Sequence, residues 1–159
     1  MGEGKVVART LPAGTPTWVR DATLNDSDKS FTVPANKRWI LKYIAATIEC
    51  SATVGNRVLE ARITNGADIV AIGPRSGVIT AGQDASYQYS TGGLASSTAT
   101  DMASLFDGQG VNVTKITAAI PLDGYALPGG YVVRVLDVGA IDVAADDMVV
   151  VLYYEELDV

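Results

Sequence analysis

The stretch that most constrains this chain is residues 31–50, where a short apolar run, Phe31-Thr32-Val33, meets the turn Pro34-Ala35-Asn36 and then a long β-branched and aromatic run ending at Cys50. A proline holds φ near about −65° and forces its predecessor toward extended backbone, so no helix runs through the stretch. The spacing predicts two strands joined by a tight turn, with Pro34 at its second position and Asn36 where left-handed backbone is tolerated. The run after the turn favours strand over helix because branched and ring side chains fit a pleated surface. A second copy lies at Tyr125–Leu136, around Leu127-Pro128-Gly129-Gly130, and a fainter one at Leu11-Pro12-Ala13-Gly14. The repetition predicts an all-β domain built from similar corners and carries no chemistry of its own.

At 159 residues the chain fits one domain with a sizeable core. Hydrophobic residues make up 48% and charged residues only 19%. A surface this poor in charge is expected to meet protein as well as water, which favours an oligomer or a scaffold-bound subunit. The net charge of −6, with 12 scattered Lys and Arg, argues against nucleic acid, whose phosphates need a basic stripe. Cys50 is the single cysteine, which excludes an internal disulfide, and with no basic neighbour evident in the sequence it reads as a small buried strand residue. The absence of histidine removes the commonest general base and metal ligand, so an enzyme is not expected. No apolar run approaches the ~20 residues of a membrane span and no signal-peptide core is present, so the protein is expected to be soluble and made in cytoplasm.

In chain order, residues 1–28 read as an extended N-terminal arm in which Trp18 docks either on its own domain or on a partner. Residues 29–159 read as one β-sandwich. Within it, Arg57, Leu59, Ala61 and Ile63 alternate as the apolar face of a strand, with Val58, Glu60, Arg62 and Thr64 on a wet face. Asn65-Gly66 supplies a hairpin turn leading to a partner strand over 67–72. Tyr87 and Tyr89 share a strand face, which suits either a core or a sugar-stacking platform. A long polar loop at 91–110, holding Leu105 and Phe106, is the segment expected to reach a partner. The run Met148–Tyr154, apolar on both faces, predicts a strand central in its sheet and covered on both sides. Short strands, frequent turns and no convincing helix point to a single-domain β-sandwich with Greek-key or jelly-roll connections.

Clusters of acids are the remaining chemistry a histidine-free chain could use. Asp137, Asp142, Asp146 and Asp147 precede the last strand, and Asp101 and Asp107 bracket the long loop. Carboxylates so grouped could hold a hard cation, but the spacing fits no EF-hand, and Asp at strand turns bonds its own backbone. No cofactor, metal or catalytic residue is therefore expected.

Val33-Pro34-Ala35-Asn36-Lys37-Arg38-Trp39, Ala52–Arg57, the corner Leu127–Tyr131 and the acidic turn with its terminal strand over 142–156 together resemble small β-sandwich virion proteins of tailed bacteriophages, with asparagine at 36 where glycine is more usual. The resemblance implies a jelly-roll structural component, such as a capsid decoration (cement) protein on the phage head. Such a protein is assembled in the host cytoplasm, binds the major capsid protein and works as a homotrimer or repeated subunit, with no nucleic acid or membrane partner. Partner or self contacts are then expected at Trp18, Val19, Trp39, Tyr43, Tyr87, Tyr89, Leu105, Phe106, Tyr153 and Tyr154. A carbohydrate-binding module of a tail or fibre protein, stacking sugars on Trp18, Tyr87 or Tyr89, is the alternative.

Overall fold

The computed structural model describes residues 14–24, 28–73, 75–76, 78–90, 114–119, 122, 124–139 and 146–159. Every regular element among them is a strand: β1 (Thr15–Asp21), β2 (Lys29–Thr32), β3 (Lys37–Glu49), β4 (Leu59–Asn65), β5 (Asp68–Ile72), β6 (Asp84–Ser90), β7 (Thr114–Ala119), β8 (Ala126–Leu127), β9 (Tyr131–Asp137) and β10 (Asp147–Asp158).

The strands form two sheets. Sheet A runs β1-β10-β3-β6-β7, with β8 also on β3, and sheet B runs β2-β9-β4-β5. Early and late strands interleave, so that β1 pairs with β10 in one sheet while β2 pairs with β9 in the other. That is the double Greek key of a jelly roll, in which the chain folds as a long hairpin rolled across two sheets. β7 is an addition, paired parallel to β6. The expected jelly-roll-like sandwich is the observed fold. β1 is an edge strand of sheet A, so the sandwich takes in residues from Thr15 and its boundary does not fall at residue 29.

The core lies between the sheets, with Leu41, Ile44, Ala46 and Ile48 of β3 and Met148, Val150 and Leu152 of β10 facing Leu59, Ala61 and Ile63 of β4 and Val133 and Val135 of β9. β10 is central in sheet A and buried on both faces, as its sequence predicts: Val149 and Val151 join Ala45 in a second apolar cluster on the outer side, against which Tyr43 and Ala22 pack.

The two proline corners meet. Val33 donates its N–H to the Tyr131 carbonyl (2.9 Å), and Gly130 donates to the Val33 carbonyl (2.9 Å). The closing bonds run from Lys37 N–H to the Pro34 carbonyl and from Tyr131 N–H to the Pro128 carbonyl, so each proline holds the first position of its turn and not the second. Gly130 has φ of 88°, which only glycine adopts without strain. A Cβ on Gly129 would lie 2.6 Å from the Ala35 carbonyl oxygen, so the approach of the corners requires glycine there.

Candidate functional site

A bulge in β3 decides which aromatic residues face out. The β3–β10 register passes from Tyr43↔Tyr153 directly to Leu41↔Tyr154, leaving Lys42 as the extra residue. Strict alternation puts Trp39, Leu41 and Tyr43 on one face. The bulge instead keeps Trp39 and Leu41 in the core and turns Tyr43 to the outer surface of sheet A. Trp39 is buried, stacked on Tyr154 with centroids 4.1 Å apart, and its indole N–H donates to Glu156 (3.0 Å). Trp39 and Tyr154 are thus core residues and not contact residues.

Outside, the registers Trp18↔Tyr153 and Tyr153↔Tyr43 set three aromatics in one row across β1, β10 and β3. Trp18 is 52% exposed and stacks on Tyr153 at 4.2 Å, with planes 25° apart. It docks on its own sheet, yet leaves much of its indole in water. Val19, its neighbour, turns inward against the main core. The Tyr43 hydroxyl is shielded from solvent and has no hydrogen-bond partner among the described residues, and burial pushes its pKa up.

Tyr87 and Tyr89 are buried, with ring centroids 5.2 Å apart. Tyr87 donates its hydroxyl to the Arg75 carbonyl at 2.9 Å. They brace the two sheets and offer no platform to a sugar. Leu105 and Phe106, with the 91–110 loop, lie outside the described residues, as do Asp101, Asp107 and Asp142.

A second apolar surface sits on β5 and was not among the expected contacts. Ile63 pairs with Ala71 and Thr64 with Ile69, so Val70 is an extra residue in this edge strand. The bulge lets Ile69, Val70 and Ile72 all face solvent, at 51%, 44% and 46% exposure, while Ala71 fills the core. The hairpin before it closes on Asn65↔Asp68, with Gly66 (φ 60°) and Ala67 as its loop, one residue later than expected.

The charged groups of the interior are consumed by one another. Arg57 is in phase with Leu59 on the core face, and its guanidinium and the Asp146 carboxylate are both fully buried. Its Nε donates to Asp146 Oδ2 (2.6 Å) and Nη2 to Oδ1 (3.0 Å). The remaining N–H groups reach the carbonyls of Thr53 (2.9 Å) and Gly55 (2.8 Å) and the Ser51 hydroxyl (3.3 Å). All five donors of the guanidinium are used, leaving none for a ligand. Burial pushes the Asp146 carboxyl up, but Arg57 and the Ser51 N–H outweigh it and hold the pKa below the usual carboxylate value. Arg57 is the basic neighbour of Cys50 that sequence did not reveal; burial still dominates and pushes the thiol up to about 11. Asp137 accepts from the N–H groups of Val58 and Gly139, both at 2.8 Å, as a turn carboxylate does.

The wet face of β4 is drier than its alternation suggests. Glu60 is buried and bound by Arg62 and by Arg75 (2.6 Å), which hold its pKa down against the opposing effect of burial. Asp147, Glu49 and Asp84 stand opposite one another on adjacent strands of sheet A. Burial first, and then these two carboxylates, push the Glu49 pKa up. Among the described residues no group of three or more Cys, Asp or Glu is arranged to hold a metal ion, and no helix is long and apolar enough to cross a membrane. No protein-family model matches the chain, and neither a curated protein nor a solved structure matches it.

Proposed function

We propose that this chain is a non-enzymatic structural protein of a virion, a decoration protein that binds the major capsid protein on a phage head as a homotrimer. The observation that supports this reading is where the chemistry goes. Buried ions are spent on internal partners, whereas Trp18 and Tyr153 on sheet A and three branched residues on β5 face outward. A cement protein needs a rigid body with apolar contact surfaces and no turnover, and many weak contacts on a lattice multiply into firm attachment. Adding the purified protein to capsids that lack it tests the reading. Saturable binding and a higher temperature of capsid disruption are expected, both weakened by Trp18→Ala. Capsids that neither bind the protein nor change in heat resistance would refute it.

The carbohydrate-binding alternative loses Tyr87 and Tyr89 to the core and retains the exposed indole of Trp18. A glycan array separates the two: the decoration reading expects no hits, and a Trp18-dependent sugar would favour the alternative.

A further inference from the structure

We propose that the β5 edge is a self-association surface that takes a second copy of this chain, with the two β5 segments antiparallel across a two-fold axis. Natural sheets protect an edge with charge, proline or a bulge, because an open edge invites indiscriminate pairing. β5 has a charge only at its first residue, Asp68, and a bulge at its middle, and here the bulge also turns Val70 outward beside Ile69 and Ile72. Backbone addition is thereby discouraged at the middle of the strand, while an apolar side-chain patch is built on it. Scattered exposed apolar residues need no explanation; three within four positions of an edge strand do.

The charges flanking the patch select the occupant. At one end stands Asp68, exposed and with no ion pair among the described residues. Beyond the other end the chain continues along β4, Gly73 donating to the Ala61 carbonyl (2.9 Å) and Ser76 to that of Leu59 (2.8 Å). That continuation carries Arg75, whose side chain is 63% exposed. Arg75 and Arg62 share the single carboxylate of Glu60, so this end keeps a net positive charge. The surface therefore reads acidic, apolar, basic along its length. A two-fold axis between Val70 and Ile72 brings the acidic end of each copy to the basic end of the other and the apolar middles together, and a parallel arrangement would oppose like charges. A pattern complementary to its own reverse fits a second copy better than an unrelated partner. A two-fold contact adds copies in pairs, giving dimers, or pairs of trimers where another face makes a trimer.

Sedimentation equilibrium of the 159-residue chain at low salt tests the inference. Val70→Lys and Ile72→Lys, at exposed positions compatible with the fold, are expected to halve the associated mass while the circular dichroism spectrum and Tm stay unchanged. Asp68→Arg is expected to weaken association roughly tenfold, and added salt to weaken the wild type. Because the native Cys50 is buried, Val70→Cys or Ile72→Cys can be oxidised selectively, and either is expected to cross-link copies faster than Thr80→Cys at the far end of the sandwich. A mass indifferent to both lysine substitutions, or cross-linking no faster at 70 and 72 than at 80, would overturn the inference. So would a monomeric wild type that loses capsid binding on Ile72→Lys, because the occupant would then be the capsid. Paired copies in solution of a protein that never attaches to capsids would sink the decoration reading alone.

Discussion

Replacing Asp146 with asparagine tests the buried clamp at the end of the sandwich. The substitution keeps the side-chain shape and one oxygen acceptor but removes the one carboxylate bonded to Arg57 among the described residues, leaving a guanidinium with no exposed surface and no bonded counterion among them. Removing one partner of a buried ion pair costs about 3–5 kcal/mol, far more than the pair's net contribution, because the orphaned charge stays desolvated. Against a domain stability of about 5–15 kcal/mol this is roughly a fifth of the total or more. With roughly 2–4 °C per kcal/mol for a chain of this size, Tm is expected to fall by about 6–20 °C. Urea unfolding followed by fluorescence of the buried Trp39 measures the loss. The pH dependence supplies an independent sign check. The lowered folded pKa of Asp146 means its contribution is present above the ordinary value of 3.8 and is lost as pH falls through the folded pKa. The gap between wild type and Asp146→Asn is therefore expected to close on acidification below that value. In a double-mutant cycle with Arg57→Leu and Asp146→Leu, the double variant should lose at least about 2 kcal/mol less than the sum of the singles. An Asp146→Asn variant within about 1 kcal/mol of wild type at pH 7 would refute the reasoning.

Other parts of the structure give three more expectations. Gly129→Ala is expected to cost about 1–3 kcal/mol in urea unfolding, because its Cβ would meet the Ala35 carbonyl oxygen at 2.6 Å and push the two proline corners apart. Glu49→Gln is expected to stabilise by about 0.2–1 kcal/mol at pH 7, since it removes a carboxylate opposed by Asp84 and Asp147. The Glu49 pKa is raised, so the unfavourable contribution is present at neutral pH and disappears as pH falls through the folded value above 4.5; thermal melts at pH 7 and pH 4 should show the Glu49→Gln gain shrinking. Cys50, with its thiol pushed up to about 11, is expected to react with a thiol reagent at pH 8 at least about a hundredfold more slowly in the folded protein than in urea, and equal rates would contradict its burial.

Much of the fold is legible in the sequence because β-branched runs, corner prolines and glycine turns are local signals. Two corners, a hairpin and a doubly apolar last strand are enough to specify an all-β sandwich. The surfaces were less legible, and the bulges are the physical reason. One extra residue reverses the facing of everything beyond it, so Tyr43 leaves the face it would share with Trp39, and Val70 joins Ile69 and Ile72 in solvent. Arg57 shows a different limit. Its phase with Leu59, Ala61 and Ile63 places it on the core face, but the partner that makes its burial tolerable lies 89 residues away. Trp18, Tyr153 and Tyr43 are each visible in the sequence as aromatic residues, but their alignment in one row is a property of register across three strands and of no single segment.

The central claim, that this protein works through its surface and its assembly on a phage head, is tested most directly by an electron-microscopy map of the intact particle. This chain is expected in hundreds of copies on the outer capsid surface, with Trp18 of sheet A or the β5 edge against a neighbouring subunit. Density at a handful of copies on the tail, or a chain with both surfaces facing solvent, would contradict it.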